Sequence, residues 1–169
     1  MTRHNHRGFS LLEVLVALTI FSLGLIGLAG LLIVSVKTNH SAYLRSQASF
    51  LAQGMADRMR ANSSAVWDGV YNTSTSVTAL PTCPCSYTDV AKRDRFIFKQ
   101  QLTDQLPGGA GTIVCTRTAG GPTLSKQQIL GHPPYDGLCA MTITWSEASL
   151  AKTSAGTADT ESFVWKFQP

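Results

Sequence analysis

From Phe9 to Val36 the chain is apolar at nearly every position, and Glu13 is the single charge. Those 28 residues, at ~1.5 Å each, make roughly 42 Å of helix, more than a ~30 Å hydrocarbon core requires. Beyond Val36 the pattern becomes amphipathic. Leu44, Ala48, Leu51, Met55 and Met59 are spaced as one helix face requires, with Lys37, Arg45, Gln53, Asp57, Arg58 and Arg60 around them. The first stop signal is Asn62-Ser63-Ser64. The pattern predicts one helix from about Ser10 to about Asn62, roughly 80 Å long.

Residues 63–82 are rich in Ser, Thr and Asn, with Pro81 near the end, and read as an irregular connection carrying Trp67 and Tyr71 as anchors. Ser86-Tyr87-Thr88-Asp89 has the form of a helix start, and Pro107-Gly108-Gly109 of its end. Between them Tyr87, Ala91, Phe98, Leu102 and Leu106 share a face, with Val90 and Ile97 beside it. Asp94 falls on the same face. It is either an edge residue or a buried carboxylate held by backbone donors or by an arginine. The remainder alternates with period two: Ile113, Cys115 and Arg117 within Thr112–Thr118; Cys139, Met141, Ile143 and Trp145; and Phe163, Trp165 and Phe167. This predicts strands with one buried face. Loops are expected over 119–137 and 148–160.

Charge adds little. The 169-residue chain has a formal charge of +4, of which Arg3 and Arg7 supply part, so the body is only weakly basic and no polyanion partner follows. Basic residues flank the apolar span almost equally. Long domains cross a membrane largely regardless of charge, so the short leader is expected in the cytoplasm and the domain after Lys37 in the periplasm. All four cysteines, Cys83, Cys85, Cys115 and Cys139, lie on that far side, where disulfides persist. Cys115 and Cys139 sit on the apolar faces of two predicted strands and are paired on that ground, leaving Cys83 to Cys85. The second ring is tight, so the crossed connectivities stay open. Zinc is the competing reading of the cysteines, but Cys83-Pro84-Cys85 and two isolated cysteines lack the usual ligand spacing. No metal and no cofactor is expected.

Catalytic readings fit poorly. The glycine-rich run from Gly108 to Gly111 follows a predicted helix and lacks the Lys-Ser/Thr of a phosphate loop. His4, His6, His40 and His132 form no nucleophilic constellation with neighbouring residues, and no catalytic residue is assigned. Lys92, Arg93, Arg95 and Lys99 make a basic cluster that reads as a solvated helix face. A DNA-contacting patch is the sharper alternative, but it lacks interleaved aromatics, so nucleic acid is not counted as a partner.

The stretch Gly8-Phe9-Ser10-Leu11-Leu12-Glu13 with its uninterrupted apolar run closely resembles the class III signal of type IV prepilins and pseudopilins. A secretory signal would have a shorter apolar region and a cleavage site after it. The resemblance implies cleavage by a prepilin peptidase between Gly8 and Phe9 on the cytoplasmic side, then N-methylation of Phe9. It implies that Glu13 docks an incoming subunit onto the amine of one already placed. It divides the chain into a leader (1–8), a transmembrane and filament-core helix (9–36), an amphipathic continuation (37–62) and a periplasmic head (63–169). Ala56-Asp57-Arg58-Met59-Arg60-Ala61-Asn62 is similar to PilV-type minor pilins. So are the cysteine segment before the helix bearing Ala91 and Asp94, the Leu106-Pro107-Gly108-Gly109 turn and the strand ending at Trp145. The departures are a tryptophan missing near Phe98 and a narrow Cys83–Cys85 spacing.

The implied fold is α+β, a long N-terminal helix packed on an antiparallel sheet with a second helix. The implied role is that of a non-enzymatic minor pilin, at or near the tip of a type IV pilus, which primes assembly. Its partners would be the peptidase, other minor pilins, the major pilin, the inner-membrane assembly platform and, before assembly, inner-membrane lipid. The alternatives are a minor pseudopilin of a type II secretion system and a pilus-borne DNA-uptake or adhesion subunit.

Overall fold

The computed structural model describes residues 10–72, 80, 82, 86–147 and 159–169. Gly8, Phe9, Cys83 and Cys85 lie outside the described residues, and so does the predicted loop between the last two strands, save its end. The elements are α1 (Leu11–Ala61), α2 (Ser63–Trp67), α3 (Tyr87–Gln105), β1 (Ala110–Arg117), α4 (Lys126–Ile129), β2 (Gly137–Glu147) and β3 (Asp159–Phe167). The chain divides into two compact units, residues 1–42 and 43–169.

In the first unit the described residues after Ser10 are all helical. Two hydroxyls inside the apolar run bond back to the helix itself. Thr19 donates to the Val16 carbonyl at 2.8 Å and Ser22 to the Thr19 carbonyl at 2.9 Å. Polar side chains satisfied in this way need no water, which suits a helix meant for an apolar medium.

In the second unit the last turns of α1 bury Leu44, Ala48, Leu51, Ala52, Met55, Ala56 and Met59. They share one core with Phe98 and Leu102 of α3 and with Ile113, Met141, Ile143 and Trp145 of the sheet. The helix ends on Asn62 and restarts at once as α2, where the Ser- and Asn-rich composition predicts irregular chain. Burial of Ala65 and Val66 outweighs the weak local propensity there. A second difference is α4, inside the predicted loop 119–137. Ser125 and Gln128 form a complete capping box around it, a sequence signal that the loop's Gly and Pro content obscures.

α3 begins where its cap predicts: the Ser86 side chain accepts from the Asp89 amide at 3.2 Å. It ends in a turn that only glycine fits. Gly108 has φ +61°, and a Cβ on Gly109 would lie 2.2 Å from the Leu102 carbonyl oxygen. The sheet is antiparallel in the order β1-β2-β3. Its register aligns Ile113 with Met141 and Trp165, and Cys115 with Cys139 and Phe167. Odd-numbered positions face the core and even-numbered ones face outward.

Candidate functional site

The first unit presents chemistry by what it leaves uncovered. Leu11 is 85% exposed and Leu31 70%, and α1 is the one described helix long and apolar enough to cross a membrane. Glu13 stands in its first turn, where the unsatisfied amides of a helix start favour a carboxylate. Among the described residues it has no ion-pair partner. Phe9, whose amine the docking role requires, lies outside the described residues. Beside Gly24, Gly27 and Gly30 nothing approaches within 4 Å of where a Cβ would stand. The fold of this chain therefore gives no reason for those glycines. Close approach of another helix would give one.

The second unit is cross-linked between elements by covalent and polar contacts. Cys115 and Cys139 form a disulfide between directly opposed residues of β1 and β2. A covalent loop of this size removes about 3 kcal/mol of freedom from the unfolded chain. The outer edge of β1 is held at the same residue by Asn72. Its carboxamide oxygen accepts from the Cys115 amide at 2.6 Å, and its Nδ2 donates to the Cys115 carbonyl at 3.1 Å. One side chain thus supplies both hydrogen bonds that a further strand would have supplied. Nothing in the local sequence marks Asn72 for this; only the tertiary fold brings it there.

Asp94 is half-buried, and its partner differs from both sequence alternatives. The donor is the hydroxyl of Tyr71, at 2.8 Å. Asn62 in turn donates to Tyr71 Oη at 3.3 Å and to the Tyr87 carbonyl at 2.8 Å. Burial pushes the Asp94 carboxyl above the usual carboxylate range, against the opposing pull of the Tyr71 bond and of Arg58 and Arg93. Burial, then the charge of Asp94, pushes the Tyr71 hydroxyl up as well. The network joins the end of α1, the turn after α2 and the first half of α3.

A second junction surrounds Trp67. Its ring meets Tyr135 edge-on at 5.3 Å, and the Arg117 guanidinium lies 4.9 Å from its centroid. Its indole N–H donates to the Pro133 carbonyl at 3.2 Å. Trp67 and Tyr71 are therefore anchors, as their place in the sequence predicts. Ser64 lies 3.2 Å from His132 Nδ1, but this is no nucleophilic pair. Ser64 is fully buried, and its hydroxyl donates to the Ile129 carbonyl at 2.7 Å.

Two of the four basic residues of the α3 cluster have partners within the chain. Lys92 pairs with Asp89 at 3.2 Å, and Arg95 donates to the Val70 carbonyl at 3.2 Å. Among the described residues no three His, Cys, Asp or Glu side chains gather as a metal site.

Residues 3–29 match the family model of the prokaryotic N-terminal methylation motif. Residues 30–96 match the family model described as type IV pilin Tt1218, a family of structural subunits and not of enzymes. No curated protein and no solved structure matches the chain. The two matched stretches adjoin on α1, so residues 3–96 are similar first to the N-terminal methylation motif and then to a type IV pilin.

Proposed function

We propose that this chain is the precursor of a minor pilin of the PilV type, which helps to start a type IV pilus and resides at or near its tip. In this reading a prepilin peptidase cuts between Gly8 and Phe9 and methylates Phe9. The helix over 9–36 then holds the subunit in the inner membrane with residues 63–169 in the periplasm, 37–62 continuing the helix. On assembly, lipid around the helix is exchanged for the helices of other minor pilins and the major pilin. The observation that carries the reading is the methylation motif running directly into a pilin domain along a helix whose first half is apolar and uncovered. The cross-strand disulfide of the head suits an oxidising compartment.

Glu13 is given the docking role, toward the methylated amine of a neighbour. A charge in an apolar medium gains from a partner, and one charge pair sets the register of otherwise featureless helices. Two variants test the proposal in living cells. Gly8→Val should leave the leader attached, read as intact mass in the membrane fraction. Glu13→Val should still be cleaved and folded, yet be depleted about tenfold or more from sheared filaments, a loss equivalent to ~1.4 kcal/mol of docking. Wild-type amounts of Glu13→Val in filaments would remove the docking role. Absence of the wild-type chain from filaments would remove the pilus assignment itself.

A further inference from the structure

We infer that the outward face of the β-sheet is a docking surface for a different protein, one that presents an apolar side chain flanked by a carboxylate. Three large aliphatic side chains stand uncovered on this face: Val114 is 58% exposed, Leu138 60% and Val164 53%. The other outward positions of the strands are Thr, Ser and Ala, with one charged residue, Lys166. A solvated surface normally mixes both signs of charge over about a quarter or more of its residues. Depletion of charge around apolar side chains is instead the composition of an interface core.

The face also has relief and polarity. The register places Val114 beside Ala140, and Ala140 beside Lys166. These residues, with Thr116 and Leu138, line a shallow hollow of about 210 Å³. That is room for one apolar side chain, and Lys166 is the one charged residue of its lining. Lys166 has no ion pair among the described residues, and none of the outward strand positions is Asp or Glu. A symmetric pairing of two copies through this face would set a cation against an acid-free surface bearing the same cation. A carboxylate that complements Lys166 is therefore one that another protein brings to this face. Lys166 would serve mainly to orient and select that chain, with the aliphatic trio supplying the contact area.

The experiment uses the full chain in its own cells, with a photo-crosslinking phenylalanine derivative placed at Val114. The expected product joins this chain to one other protein, through a peptide that holds an apolar residue next to Asp or Glu. Lys166→Glu should lower the yield about tenfold or more, because like charges set against each other across an interface disfavour the complex. Reversing the partner's carboxylate to Lys should restore it in the Lys166→Glu background. Formation of the Cys115–Cys139 disulfide in each variant checks that the head has folded. Four results would overturn the inference: a product containing only this chain's peptides, lipid adducts alone, no product, or a yield insensitive to Lys166→Glu. The readout is the cross-link and not filament content, so it stands or falls separately from the pilus assignment.

Discussion

One helix, α1, contains two physically different halves. In its apolar half Leu23, Leu25, Ile26 and Leu28 point to different sides of the helix and are all at least half exposed. Over its last turns Leu44, Leu51, Met55 and Met59 point one way and are almost wholly buried. The backbone is the same; the environments for which the side chains are written are not. The second half gains its stability from the head, where each buried aliphatic is worth about 1.5–3 kcal/mol. Among the described residues of its own unit the first half buries none of its large apolar side chains.

Truncation at matched positions should break this comparison if it is false. Met55→Ala removes a side chain that is 1% exposed and should cost the head about 2–5 kcal/mol. Leu31→Ala removes one that is 70% exposed and should leave head stability within about 0.5 kcal/mol. Both are read by denaturant unfolding in mild detergent, followed by the fluorescence of the buried Trp145. Similar losses in the two variants would mean that the halves are not energetically separate.

The contrast was legible in the sequence because periodicity reports it directly. The switch from an all-apolar run to a stepped pattern at Leu44 needs no tertiary information. The same holds for the strands: odd-numbered apolar positions from Ile113 to Phe167 face inward as the alternation requires. The Ser86 cap is also a local signal. What stayed hidden depends on residues distant in sequence. Asn72 reads as loop composition, yet it meets Cys115, 43 positions away. Asp94 reads as a stripe-edge carboxylate, yet its donor Tyr71 comes from the turn after α2. α2 was obscured because Ser and Asn suit turns, and only the burial of Ala65 and Val66 overrides them. The docking role proposed for Glu13 rests on the likeness of the first residues to prepilins and on no pattern of polarity.

Asn72 ties the edge of β1 to the turn after α2 by two side-chain hydrogen bonds. Asn72→Ala deletes both side-chain bonds at the edge of β1, leaving the half-covered amide and carbonyl of Cys115 without them. The cost should be about 1–3 kcal/mol. Hydrogen exchange at the Cys115 amide should quicken, while exchange in the first unit stays the same. An unchanged Cys115 amide would mean that the clamp is dispensable.

The smallest effect sharpens the comparison most, because it involves one proton in the head. Asp94 holds its carboxyl above the ordinary value, chiefly through burial. The folded chain therefore keeps that proton to higher pH than the unfolded chain, whose Asp titrates near 3.9. Asp94's contribution to stability is complete below about pH 3.9, is lost as pH climbs through the raised folded value, and is constant above it. Asn at this position keeps an oxygen to accept from Tyr71 and removes the half-buried charge. It also gives up the attraction of Arg58 and Arg93, which burial outweighs in the wild type. Asp94→Asn should thus be as stable as the wild type at neutral pH, or more so by up to about 1 kcal/mol once solvent screening is allowed for. Urea midpoints measured from about pH 4 upward should fall for the wild type relative to Asp94→Asn and then run parallel. The same divergence should appear in a chain beginning at Lys37, because every group in the network belongs to the second unit. Parallel curves over the whole range would show that the carboxyl titrates alike in both states and that the Tyr71–Asp94 contact carries no net charge penalty.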